Sequence, residues 1–210
     1  MSRLAAACRE MKTESLVVAV ISNDDPLAHE YEDSSYYKIY VDNETGGCVK
    51  SIVEGVKEFL KDYMHGYFDY FIFTGDDNLP RTEFWDRLLI KPLIGKTGIS
   101  YGNDLYQQEN LAGNPCISRD IAEILNRYGW PPINHLYIDN FFTILGKEIN
   151  SLHYVPDSII EHMHPFAGKG EMDEQYARVN RQELYLQDHN ALESYLRSET
   201  FANIVNELRS

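Results

Sequence analysis

The stretch Phe68-Asp69-Tyr70-Phe71-Ile72-Phe73-Thr74-Gly75-Asp76-Asp77-Asn78 runs an aromatic, apolar segment straight into two adjacent carboxylates and an amide. A run of this composition, bounded by Gly and Asp, reads as a buried strand. Acids at its exit sit where an open α/β sheet receives ligands, beyond the carboxyl ends of its strands. Two neighbouring like charges repel, and a shared cation relieves the repulsion. Hard divalent ions such as Mg²⁺ and Mn²⁺ prefer oxygen ligands of this kind. Asp76, Asp77 and Asn78 are therefore candidates for a metal site that holds phosphates, although the same residues also suit a plain polar turn.

Further groups downstream carry chemistry of their own. In Ile160-Glu161-His162-Met163-His164-Pro165 the two imidazoles alternate, so an extended backbone points them the same way. Imidazole is a common ligand of transition ions, which makes His162 and His164 metal candidates. Asp139, in His135-Leu136-Tyr137-Ile138-Asp139-Asn140-Phe141-Phe142, opens a short helix among apolar residues. It suits either a helix cap or a general base whose basicity rises with desolvation. Asp24-Asp25-Pro26 follows the first apolar run, Asn103-Asp104 follows a short strand, and Lys169 lies between two glycines, where it can reach a phosphate as a mobile point charge. Each of these last three groups also fits a loop.

These groups need a scaffold, and the composition supplies one. At 210 residues, with 43% apolar and 12% aromatic content, the chain fits one globular domain with a sizeable core. A formal net charge of -14 and the lack of any basic run argue against nucleic acid as the main partner. Fifteen tyrosines suit a cleft that meets polar rings or sugars as well as they suit packing. Cys8, Cys48 and Cys116 are odd in number and widely spaced, which indicates neither a disulfide frame nor a zinc knuckle. A reducing, cytoplasmic location is expected. No apolar stretch is long enough to span a bilayer, and the first residues lack a signal-peptide core.

Hydrophobic periodicity predicts a helix over 3–13, strands over Leu16–Ile21 and Tyr37–Val41, and a helix from Ser51, with Glu54 completing a capping box and Gly66 ending it. A strand over 68–74 leads to the acid pair. Thr82 is read as the cap of a helix reaching Leu93, Gly98–Tyr101 as a strand, and Ser118–Gly129 as a helix stopped before Pro131 and Pro132. A helix over 138–146 ending at Gly146, strands at His153–Val155 and Ile159–His162, and a polar helical tail from Asp173 complete the reading. The alternation over the first hundred residues implies an α/β fold with a mostly parallel sheet flanked by helices and an irregular helical C-terminal part.

In this order the motifs resemble the GT-A fold nucleotide-sugar glycosyltransferases, in particular the inverting group often called family two and a bacterial and phage branch of it. The resemblance rests on Asp24-Asp25-Pro26, Gly75-Asp76-Asp77-Asn78 with Arg81, Thr82 and Trp85, Tyr101-Gly102-Asn103-Asp104, and His135-Leu136-Tyr137-Ile138-Asp139-Asn140. It continues through Tyr154-Val155-Pro156-Asp157, Glu161-His162-Met163-His164-Pro165, Gly168-Lys169, Asp173 and Tyr176. It spans roughly residues 14–190 and implies a single Rossmann-like domain, with a nucleotide-binding half about 1–105 and an acceptor and metal half about 106–210.

Carried over residue by residue, the resemblance gives Asp76 to the ribose or sugar and Asp77 to Mn²⁺ or Mg²⁺ at the diphosphate. Asp139 becomes the base that deprotonates the acceptor, and His162 or His164 completes the metal site. Asp24 or Asp25 contacts the nucleotide base. The implied donor is a UDP- or GDP-sugar. Members of the family normally begin with a strand ahead of the first helix, and this chain opens on the helix. A strand is therefore expected to be missing, with a sheet edge that another chain, including a second copy, can cover. Two other functions fit parts of the pattern. One is non-catalytic nucleotide or sugar binding on a degenerate transferase fold. The other is a metal-dependent phosphohydrolase or nucleotidyltransferase.

Overall fold

Cys116 and Ile117 are neighbours on one strand and serve two different cores, because successive strand side chains point to opposite faces. That alternation defines the architecture. The computed structural model describes residues 2–23, 37–41, 47–61, 68–169 and 181–210. Its elements are α1 (Ser2–Glu10), β1 (Val18–Ser22), β2 (Tyr37–Val41), α2 (Cys48–Phe59), β3 (Tyr70–Ile72), β4 (Asn78–Pro80), α3 (Trp85–Ile90), β5 (Ile99–Asn103), β6 (Pro115–Ser118), α4 (Arg119–Tyr128), α5 (Ile138–Glu148), β7 (Leu152–His162), α6 (Gln182–Leu196) and α7 (Glu199–Arg209). No helix among the described residues is long and apolar enough to cross a membrane.

The fold is α/β, and its main sheet is mixed, not mostly parallel. The strand order is β3-β6-β5-β7-β4, and β1 and β2 form a separate parallel pair. Within the five strands only β5 and β7 run parallel; β3·β6, β5·β6 and β4·β7 are antiparallel. The expectation of a mostly parallel sheet came from alternating strand and helix signals, which missed β4 and β6. Both are short, and both carry a proline at one end. In β6, Ser118 was read only as a helix start. It ends the strand and precedes α4, and its hydroxyl accepts from the Gly98 amide.

Helices cover both faces of this sheet. One core gathers Val49 and Val56 of α2, Ile121 and Leu125 of α4, Phe141, Phe142 and Leu145 of α5, Leu192 of α6 and Ile204 of α7 around Ile99 and Ile117. The other places Leu4 and Cys8 of α1 with Trp85 and Leu89 of α3 against Cys116 and Ile160. The loop after α1 is fastened by Asp86, whose buried Oδ2 accepts from the amides of Glu14 and Ser15 at 2.9 and 2.7 Å.

Several local boundaries differ from the sequence reading for identifiable reasons. The helix expected from Ser51 starts at Cys48, so Ser51 lies inside it; Gly66 falls outside the described residues. Thr82 caps no helix. Its hydroxyl donates to the Asp157 carbonyl and accepts from the Ile159 amide, tying the chain to β7. Gly146 does not end α5, which continues to Glu148; it makes room for Leu152. The two strands expected near 153 and 159 are one strand, β7, with a register shift against β5 at Gly102 and Asn103. The stop at Gly129 stands as expected, as does the helical tail from Gln182 on; residues 173–180 of that tail lie outside the described residues.

The β5–β7 seam depends on Gly102. A Cβ there would stand 2.4 Å from the Ser158 carbonyl oxygen, which is backbone and cannot swing away. Gly102→Ala is expected to lower the unfolding free energy by about 2 kcal/mol, the usual scale for overpacking. Urea denaturation measures this, and an unchanged midpoint would contradict the tight seam.

Candidate functional site

The acid pair reaches its position through a turn. The Asn78 amide donates to the Gly75 carbonyl at 3.2 Å, and the chain then enters β4. β4 pairs with the end of β7, so Asn78 lies opposite His162, and the Met163 amide donates to the Asp77 carbonyl at 2.8 Å. The Asp77 carboxylate consequently faces the His162 ring, with Oδ2 3.1 Å from Nε2. Its Oδ1 accepts from Asn78 Nδ2 at 2.7 Å, and Asn78 Oδ1 accepts from Asn114 Nδ2 at 3.1 Å. Both amides are buried. Asn78 therefore orients Asp77, backed by Asn114, which the sequence reading did not single out. A side chain at position 75 would collide with this arrangement, since a Cβ there lies 2.6 Å from Asp77 Oδ1. Asp76 sits exposed on the same turn.

His162 and His164 come together as expected, although His164 lies just past the end of β7. Their rings meet edge to face with centroids 4.8 Å apart. Tyr106 stacks on His164 at 5.0 Å and turns its edge to His162. The loop that carries Tyr106 is built by Asn103 and Asp104. Asn103 Oδ1 accepts from the Leu105 amide, and buried Asp104 Oδ1 accepts from the amides of Tyr106, Gln107 and Gln108 at 2.9, 2.8 and 2.7 Å. These two candidates hold a loop in which Leu105 and Gln108 take φ of 56° and 53°. Positive φ is costly for such residues and persists only where surrounding bonds enforce it.

Lys169 engages Glu161 at 2.9 Å, and Glu161 also meets Arg81 at 2.8 Å. Glu161 and His162 alternate along β7, so this ion pair holds Lys169 on the face of the strand away from the imidazole. Asp24, Asp25, Asp173 and Tyr176 lie outside the described residues.

Asp139 stands in the first turn of α5, two residues after Tyr137, whose φ is 67°. Its carbonyl accepts from Thr143 Oγ1 at 2.7 Å, and that oxygen accepts from the Ala112 amide at 3.0 Å. The loop before it is held by Asp188 of α6, only 1% exposed, whose two oxygens accept from the amides of Asn134, His135 and Leu136 at 2.9, 2.9 and 2.8 Å. Asp188 is a lone acid in a polar helical stretch, and nothing in its sequence neighbourhood marks it.

Asp139, Asp77, Asp104 and His162 share one electrostatic neighbourhood. Desolvation pushes the Asp139 carboxyl up to about 7; His162 pulls it down, while Asp104 and Asp77 push it further up. Burial also works to raise Asp77, but the hydrogen bond and charge of His162 outweigh it and hold Asp77 below the ordinary carboxylate value. Burial works to lower His162, and the bond to Asp77 overrides it, so the imidazole is raised. The pair favours the charged forms, whereas Asp139 favours the proton.

Among the described residues no group of three His, Cys, Asp or Glu side chains is assembled for a metal ion. Asp77 and His162 fit as two ligands of one ion once that ion displaces the proton of the imidazole. Adjacent ligands on an octahedral ion at about 2.1 Å stand roughly 3 Å apart, and these two atoms are 3.1 Å apart with 45% of the Asp77 side chain exposed. Mg²⁺ sites commonly take one or two protein ligands and complete the shell with phosphate and water. No family model, curated protein or solved structure matches the chain.

The raised Asp139 carboxyl has a stability signature. Its native form binds the proton more tightly than the unfolded chain does, so its contribution falls as pH rises from about 4 to about 7 and is level above that window. Thermal melts of wild type and Asp139→Asn are expected to show the wild-type advantage shrinking across that window. A constant difference would contradict a half-buried, proton-favouring Asp139.

Proposed function

We propose that the chain is a metal-dependent glycosyltransferase on a GT-A-like fold, moving a sugar from a nucleotide-sugar donor to an acceptor hydroxyl with inversion. The observation that carries this reading is the Asp77–His162 pair at a strand exit, in the same electrostatic neighbourhood as a carboxyl pushed up to about 7. The ordered resemblance to the inverting transferases supports it, since its acid pair, base and late histidines map onto these residues.

Asp77 and His162, with His164 beside them, would hold Mn²⁺ or Mg²⁺. A divalent ion there supplies positive charge for the diphosphate that leaves. Asp139 in its ionised form accepts the proton of the acceptor hydroxyl. That oxygen bonds to the anomeric carbon as the bond from this carbon to the diphosphate oxygen breaks, and the nucleoside diphosphate departs with the electron pair. A base near pH 7 suits this task, because proton transfer is most effective when the base's pKa lies near the working pH. Asn78 and Asn114 fix the carboxylate that faces the ion, and the Tyr106 loop walls the histidine side.

A second reading, nucleotide or sugar binding without transfer, draws on the two-ligand character of the described site. Transfer assays separate the two.

UDP or GDP is expected to raise the melting temperature only when Mn²⁺ or Mg²⁺ is present, by the equivalent of about 2.7 kcal/mol at a hundredfold excess over Kd. Asp77→Ala is expected to abolish the shift. In a transfer assay Asp139→Asn is expected to slow turnover by about 10²-fold or more, the scale of general base catalysis. Melting that ignores nucleotide and metal alike would contradict the proposal, and phosphate release without sugar transfer would favour a hydrolase.

A further inference from the structure

His135 is a titratable group of this region that the reaction above leaves unused. Its surroundings determine which of its nitrogens carries the proton. Nδ1 stands 3.3 Å from the amide nitrogen of Cys48, the first residue of α2. A backbone amide can only donate, so Nδ1 is the acceptor and the neutral ring carries its proton on Nε2. The backbone that carries the ring is held as well: the His135 amide donates to Asp188, its carbonyl accepts from Cys48 Sγ, and the Val49 amide donates to the neighbouring Asn134 carbonyl at 3.2 Å. Gly47 lets the loop approach this closely, since a Cβ there would lie 2.1 Å from the Asn134 oxygen.

The ring therefore caps α2, a twelve-residue helix, in place of a side chain from Gly47. Helix N-termini carry partial positive charge, and an amide donated into Nδ1 passes some of that polarisation to the Nε2–H. Nε2 lies on the far side of the ring from α2, and it has no partner among the described residues. The ring also feels the Asp77 carboxylate. Burial favours its neutral form, which matters beside a divalent ion, because an imidazolium would repel the metal while a neutral N–H would not. A neutral imidazole polarised by a helix N-terminus is a known way to present a fixed electrophilic donor.

We propose that His135, its tautomer locked by the first amide of α2, presents Nε2–H to an anionic oxygen of the diphosphate held at Asp77 and His162. This rests on the nucleotide-sugar reading above and adds to it a positioning donor that is not itself a metal ligand. It also explains why the 134–136 loop is fastened by three amide bonds to one buried carboxylate: the donor is useful only if the ring cannot turn.

Two substitutions separate the lock from the donor. In His135→Asn the side-chain carbonyl takes the place of Nδ1, so the Cys48 amide keeps its acceptor and the Nε2–H is lost. In His135→Gln the side-chain amide takes the place of Nε2–H, and the acceptor is lost. His135→Asn is expected to melt with wild type yet bind Mn²⁺–UDP or Mn²⁺–GDP about tenfold more weakly, the worth of one hydrogen bond to a charged group. His135→Gln is expected to melt lower and keep most of the affinity. Imidazole ¹⁵N spectra of the ligand-free protein near neutral pH are expected to show Nδ1 bare and Nε2 protonated. Protonated Nδ1, or His135→Asn binding as tightly as wild type, overturns the inference and leaves the transferase reading standing. A wild type that binds neither nucleotide with Mn²⁺ overturns both.

Discussion

Asp77 and His162 are 85 positions apart and meet at 3.1 Å because β4, three residues long, returns antiparallel along the end of β7. Nearly everything else described at the site follows from that return. It brings the acid pair to the histidine pair, and it lets Asn78 point inward to bind both Asp77 and Asn114. It also sets a favourable charge pair next to a carboxyl whose environment disfavours charge. The pairing is short, so it relies on a rigid β7, and β7 relies on its parallel partner β5 and on the close approach at Gly102.

Around this pairing the structure repeats one device. A buried carboxylate accepts from two or three backbone amides and thereby fixes a loop. Asp104 does so for the Tyr106 loop, Asp188 for the loop before Asp139, and Asp86 for the segment after α1. Asp139 differs: its carbonyl takes the Thr143 hydroxyl, and its carboxyl feels chiefly desolvation. The described acids around the site thus divide into Asp104, Asp188 and Asp86, which hold backbone, and Asp77, whose carboxylate meets the side chains of His162 and Asn78. Their positive-φ neighbours, Leu105, Gln108 and Tyr137, mark where the backbone has been bent to serve the division.

Part of this was legible in the sequence. Asp77, His162, His164 and Asp139 were legible as candidates from residue types that can serve as ligand or base, and the structure places Asp77, His162 and His164 side by side, with Asp139 in their electrostatic neighbourhood. The α/β class followed from hydrophobic periodicity, as did α4 with its stop at Gly129. What was hidden depended on long-range partners. Asn114 and Asp188 act through atoms distant in sequence, and no local pattern distinguishes them from surface polar residues. Asn103 and Asp104 were legible only as site or loop residues; that their oxygens hold the Tyr106 loop depends on amides whose positions a residue type does not reveal. The direction of the sheet was misjudged because β4 and β6 are too short to announce themselves, and a proline at one end of each argued against a strand.

The central claim is that one ion joins the strand-exit acid, the late histidine and a diphosphate. Pulsed electron paramagnetic resonance of Mn²⁺ with the protein and UDP or GDP tests it most directly. The account predicts that one bound ion shows both ³¹P coupling and ¹⁴N coupling from imidazole, and that His162→Gln removes the nitrogen signal while the phosphorus signal persists. Bound Mn²⁺ that shows neither nitrogen nor phosphorus coupling, or a nitrogen signal unchanged by His162→Gln and His164→Gln, would contradict it.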